Sequence, residues 1–281
     1  MEPRFPSDAS LSLDRVQFHL TCRSLLARRK PQLPGQNPFL IAIILCVGAM
    51  LQGVVGFGFG LLSIPLLMWL GVSLPHAIAI VIPLVFFQTG FNCLRRRDDI
   101  PWRSTIEMST VRALSLPLGV WLLSKIANFD VARAKQVVGI FLLLTVLSIW
   151  LFRPTPKDRL ARSWTVIAGI LSGICAGMVG MGGPPITVWV LSHSWPAARQ
   201  RAFLWSTIML LAPVQLILMW FKFGDSIRET VVMAILMIPP VLVSAWLGGK
   251  AGDRLDRTRL RNVAMVALLL IAIRNIAAPW F

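Results

Sequence analysis

Long apolar, charge-free stretches alternate along this chain with short basic clusters. No Asp, Glu, Lys or Arg occurs between Pro31 and Leu94, from Ser163 to Ala198, from Ala202 to Phe221, or from Thr230 to Gly249. A run of about 20 such residues is what a helix needs to cross a bilayer. The pattern divides into four hydrophobic units, 38–71, 75–93, 104–124 and 136–152, followed by four more at 164–192, 200–221, 230–249 and 262–279. The first unit of each set is too long for one straight helix and too short for two full ones.

Each of those first units contains a glycine-rich interruption. The later one reads GILSGICAGMVGMGGPP, from Gly169 to Pro185, and the earlier one LQGVVGFGFGLLSIP, from Leu51 to Pro65. Glycine allows close backbone approach, while Pro184 and Pro185 remove two amide donors and end a regular helix, so a break is expected here. At an offset of 120 residues, Leu51, Gly53, Gly60, Pro65, Trp69 and Ala77 match Leu171, Gly173, Gly180, Pro185, Trp189 and Ala197. A second alignment, offset by 125, sets Trp121, Leu122 and Lys125 on Trp246, Leu247 and Lys250. Matched hydrophobic halves with broken helices at corresponding places point to a transporter whose site lies where the breaks meet.

Composition agrees with a membrane location. Of 281 residues, 56% are hydrophobic and 14% charged, with a mean hydropathy of +0.71; a soluble domain carries about 25% charge. The net charge of +16 comes from Lys and Arg flanking apolar runs, with no basic face interleaved with stacking aromatics, which argues against nucleic acid as a partner. Cys22, Cys46, Cys93 and Cys175 show no metal or redox spacing. His76 and His193 have no third ligand in view, so neither a metal nor a cofactor is expected.

The expected fold is all-α and polytopic, with about eight transmembrane helices in two repeated four-span halves, each opened by a glycine-rich broken helix. Residues 1–37 are expected to form a basic cytoplasmic tail, 38–152 the first repeat, 153–163 a basic cytoplasmic linker and 164–281 the second repeat. Basic residues decide between single crossings and re-entrant hairpins, because they gather on the cytoplasmic side. With the N-terminus held inside, single crossings place sixteen of them inside and ten outside, whereas hairpins place eleven inside and fifteen outside. Single crossings are therefore expected, in parallel halves.

The paired glycine motifs, the GMGGPP ending of the second and the closing LGGKAGDRLDRTRLRNVAMVALLLIAIRNI resemble the TauE/SafE family of bacterial membrane transporters, over roughly residues 38–281. The resemblance implies export of sulfite, an organosulfonate or a related anion, in the inner membrane. The first motif departs from the family pattern at Phe57, Phe59, Leu61 and Leu62.

The residues themselves nominate an anion site. Broken helices present free peptide N–H groups, which attract anions without a full charge. Gly56, Gly58, Gly60 and Pro65 in the first motif, and Gly177, Gly180, Gly182, Gly183 and Pro185 in the second, are candidate substrate contacts; close helix packing is the competing reading for each glycine. Polar residues inside spans add Gln88, Ser206 and Gln215, with Gln52 among the wider set. Arg112 lies within a span with no carboxylate on its face, either to contact an anion or to snorkel to the surface. No catalytic constellation is present. Apart from Glu107, no acidic residue falls inside a span, which leaves proton or sodium coupling without an obvious carrier. The expectation is an exporter of a small anion, embedded in the lipid bilayer, working by alternating access, with a homodimer as a candidate assembly. A scaffold or a membrane enzyme of sulfur or lipid metabolism is the alternative.

Overall fold

The computed structural model describes residues 38–56, 58–151, 160–254 and 257–280. The expected tail at 1–37, and the expected linker up to residue 159, lie outside them. The described residues are helical, without a strand. Among the described residues there are eleven α-helices: α1 Pro38–Val55, α2 Phe59–Trp69, α3 Leu74–Arg95, α4 Trp102–Ile126, α5 Val131–Leu151, α6 Arg162–Val179, α7 Gly183–Leu191, α8 Ala197–Phe223, α9 Arg228–Leu236, α10 Ile238–Arg254 and α11 Arg257–Ala277. Five stretches are long and apolar enough to cross a membrane: α3, α4, α5, α6 and the segment Ala197–Leu236.

Both expected breaks are present, and at both the chain doubles back. Helix α1 ends at Val55 and α6 at Val179, each followed by a glycine with positive φ, Gly56 (96°) and Gly180 (73°). That conformation is open to glycine and strained for residues with a Cβ. After the second break, α7 returns along α6: Ser172 donates its hydroxyl to the Gly182 carbonyl, and Trp189 donates its indole N–H to Thr165 Oγ1 at 3.1 Å. Residues 165 and 172 thus meet 189 and 182 in reverse order, which defines a helical hairpin. The first break does the same, with Ser63 and the Phe59 ring lying against Gly48.

These hairpins correct the expectation of eight single crossings. His76, at the start of α3, bonds through Nε2 to the Ser226 carbonyl at 3.0 Å, which puts both at one end of the bundle. Eight parallel-repeat crossings would place them on opposite sides. The 22 residues of α3 carry the chain about 33 Å, so Arg95 marks the other end. There it faces a common recess with Arg201 and Lys250. The segment from Ser226 to Lys250 therefore runs the full length, as a helix kinked where Pro239 and Pro240 follow Met237.

Packing crosses between the halves. Gly169, Gly173 and Gly177 of α6 meet Val111, Arg112 and Leu116 of α4 in the same order, so the two helices run parallel. The contact is close enough that a Cβ on Gly177 would lie 2.7 Å from the Val120 amide. On the other side Gly53 of α1 lies on Ala245 and Gly249 of α10, and Gly248 lies on Met50. Gly90 and Cys93, late in α3, pack with Ala202, Trp205 and Met209, early in α8, so this pair is antiparallel. The start of α5 meets the end of α11 through Gly139 and Asn275, and Asn275 Oδ1 also accepts the Trp69 indole N–H at 2.9 Å.

The hairpins and the single-crossing reading place particular sites differently. Single cysteines at Asn128 and Ser226 should label from one side of the membrane, and cysteines at Arg97 and Arg199 from the other. Labelling of Asn128 and Ser226 from opposite sides would restore the eight-span arrangement.

Candidate functional site

The two breaks meet. Gly60, in the first turn of α2, comes close enough to the second break that a Cβ there would lie 3.2 Å from the Gly180 carbonyl oxygen. Between them is a cavity of about 90 Å³, room for several waters or one small anion. Its lining includes Gly58, Gly60, Gly180, Gly182 and Gly183 from the breaks, with Gln52, Arg112 and Gln215 from α1, α4 and α8. Helices α2 and α7 both start at this cavity, so the positive ends of two helix dipoles are directed at it. In α7 the prolines occupy the first turn, where a missing N–H costs no hydrogen bond.

Arg112 dominates the electrostatics. It is 2% exposed, the largest fully buried side chain among the described residues, and its Nε and Nη1 have no partner. Its guanidinium lies against the second break: a Cβ on Gly182 would come within 2.8 Å of Nη2. It does not snorkel. The ion pairs among the described residues, Arg96–Asp99, Arg97–Asp98 and Arg162–Glu107, all lie on exposed side chains and leave Arg112 out. A buried guanidinium with free donors and no carboxylate is costly by several kcal/mol, and an anion in the cavity would offset that cost.

The glutamines are held differently. Gln215 donates Nε2 to the Ala176 carbonyl at 2.7 Å, bracing the C-terminal part of α6 beside the cavity. Gln52 lines the cavity with its Oε1 unpartnered.

Eight of the residues named so far are thereby brought together, but not every candidate from the sequence is. Gly56 turns the chain just outside the cavity, under the stem of Arg201. Gly177 is a packing residue on α4, and Pro65 and Pro185 lie within α2 and α7 away from the lining. Gln88 is buried behind α1, donating to the Ala49 carbonyl at 3.2 Å, and Ser206 pairs with Thr105 at 3.0 Å. No group of three His, Cys, Asp or Glu side chains gathers among the described residues.

Comparison with known proteins agrees with this geometry. The family described as "Sulfite exporter TauE/SafE" matches residues 40–275. The chain belongs to the TauE/SafE family. It is accordingly a multi-pass membrane transporter and not an enzyme. A probable sulfite/organosulfonate exporter TauE of Cupriavidus necator is 23% identical over 228 residues, covering 80% of this chain and 88% of that protein. A probable membrane transporter protein of Methanocaldococcus jannaschii is 23% identical over 244 residues, covering 80% of this chain and 89% of its own. No solved structure matches.

Within this TauE/SafE chain, two glycines of the second motif separate packing from ligand space. A Cβ on Gly173 would collide with Ser115 and the Arg112 carbonyl, whereas one on Gly183 meets nothing within 4 Å and its φ is not positive. Gly183→Ala should therefore melt at the parent temperature while weakening anion binding in the cavity. Gly173→Ala should lose about 1–3 kcal/mol of stability through overpacking, and the folded fraction should still bind. Thermal melts and binding isotherms on the two purified variants check this.

Proposed function

We propose that this protein carries a small oxyanion of the sulfite or organosulfonate class across the bacterial inner membrane, outward, through the cavity between its two breaks. The observation that carries the reading is Arg112: a buried cation with two unpartnered nitrogens, facing a cavity shared by two helix N-termini. Charge-assisted, forked donation suits a planar or tetrahedral oxyanion. The names of the relatives favour sulfur oxyanions, and the bacterial relative favours the inner membrane.

We infer that the halves are inverted repeats, each a re-entrant hairpin followed by three crossings. The break glycines align at an offset of 124, Gly56 with Gly180 and Gly58 with Gly182, four residues away from the motif alignment. Antiparallel pairing of α3 with α8 and of α5 with α11 is what inversion requires. The aligned lysines also behave alike, Lys125 lying 5.4 Å above Trp121 and Lys250 3.8 Å above Trp246. In this arrangement Arg95, Arg162, Arg201 and Lys250 lie at one end, and the tendency of basic residues to gather inside makes that end the cytoplasmic one. The sequence-level count reached the other answer because it fixed the N-terminus inside. Inverted repeats around one midplane site are suited to alternating access.

Arg112→Gln should weaken sulfite binding to the purified protein by about tenfold to a hundredfold, the worth of one or two charge-assisted hydrogen bonds. Its melting temperature should hold or rise, because an unpaired buried charge is removed. Unchanged affinity would sink the reading. Glu107, 41% exposed and 3.4 Å from Arg162, is not part of the cavity lining. Glu107→Gln should keep most of the sulfite flux in proteoliposomes.

A further inference from the structure

The end of the bundle that carries Arg95 holds a second recess, about 560 Å³ in volume. Arg95, Arg96, Arg201 and Lys250 face it, against Asp98 and Asp99. Asp98 lies 3.7 Å from Arg97, which is not part of the lining, and Asp99 lies 3.9 Å from Arg96, both on exposed side chains where such pairs are weak. Lys250 is steadied 3.8 Å above the Trp246 ring and Arg95 5.5 Å above Phe91, contacts that fix a cation without cancelling its charge.

Two further observations indicate that the recess receives a ligand. Trp205 lines it, is 5% exposed, and has an indole N–H with no partner. A buried donor left empty is costly, and an oxyanion oxygen would fill it. The recess also abuts the first break: the Cγ of Arg201 would lie 3.1 Å from a Cβ on Gly56, and the same break ends at Gly58 in the central cavity. One break therefore separates the two spaces.

We propose that this recess is a second oxyanion site, in which the transported anion is held at the bundle end before it passes the first break to Arg112. The proposal rests on the anion reading of the central cavity and adds a collecting site to it. A basic recess with low-dielectric walls concentrates anions and speeds their capture. A phosphate of an anionic lipid offers the same chemistry, since Phe91 and Trp246 are exposed on the outside of the bundle, so the test must separate the two sources.

The experiment uses the full chain in phosphatidylcholine nanodiscs, with radiolabelled sulfite measured by equilibrium dialysis. Two sites per chain are expected. Trp205→Phe and Lys250→Gln, each with its melting temperature recorded, should weaken one of them about tenfold or more, the worth of a charge-assisted or buried hydrogen bond, and leave the other. Arg112→Gln should do the reverse. In proteoliposomes Lys250→Gln should raise the KM for sulfite and leave the maximal flux unchanged. A single site that is lost in Arg112→Gln and indifferent to both recess variants overturns this proposal and leaves the central site standing. A single site lost only in the recess variants overturns the central reading instead, and absence of any sulfite binding overturns both. Loss of the second site when phosphatidylglycerol replaces part of the phosphatidylcholine would assign the recess to lipid and overturn its role in transit.

Discussion

A peptide group inside a bilayer must find its hydrogen bond within the protein, and this chain interrupts its helices twice at depth. Everything else in the fold answers that demand. The freed groups at the second break are taken up partly by Ser172, whose hydroxyl reaches the Gly182 carbonyl, and by the capping bonds of Gly180 and Met181 to Ala176 and Cys175. Gly182 and Gly183, which follow, line the cavity. Hairpins, cross-packed glycines and the bracing of α6 by Gln215 all serve to keep two helix N-termini pointed at one small space.

In the function proposed above, Arg112 is the residue that would make that space an anion site rather than a packing defect. Its cost is accepted in a closely packed seam, where the backbone of α4 rests on Gly173. A residue placed for stability there would be apolar. Activity is commonly maintained at the expense of stability in this way, and the buried charge is strongest where water is excluded.

Much of this was legible in the sequence, for physical reasons that can be named. Clustered glycines followed by proline do not belong to a straight helix, so both breaks were readable, whereas Arg112 stood evenly between contacting an anion and snorkelling, and close packing was the rival reading for each glycine. What the chain does after a break was not readable. Gly56 and Gly180 permit either a kink or a reversal, and the choice is made by distant partners such as Thr165 for Trp189. The count of basic residues was sensitive to one assumption about the N-terminus, and the His76–Ser226 contact, 150 residues apart, carries no local signal. Gly177, Gln88 and Ser206 share the composition of site residues but pack or bond elsewhere. Conversely, nothing in the local sequence sets Trp205 and Lys250 together; the recess does.

The parallel seam between α4 and α6 bears on how such a molecule can move. It joins the third helical element of one half to the hairpin of the other, and Gly53 and Gly248 make the reciprocal joint between α1 and α10. The halves are cross-braced. A rocking motion that kept each half rigid would have to pull backbone from backbone at both seams, where Gly173, Gly177, Gly53 and Gly248 lie directly on the main chain of the facing helix. Under the alternating access proposed above, the moving bodies would instead be hybrids, α4 with α6 and α7 on one side and α10 with α1 and α2 on the other. Each hybrid would carry one lip of the cavity, so the lips could part while each seam stayed closed.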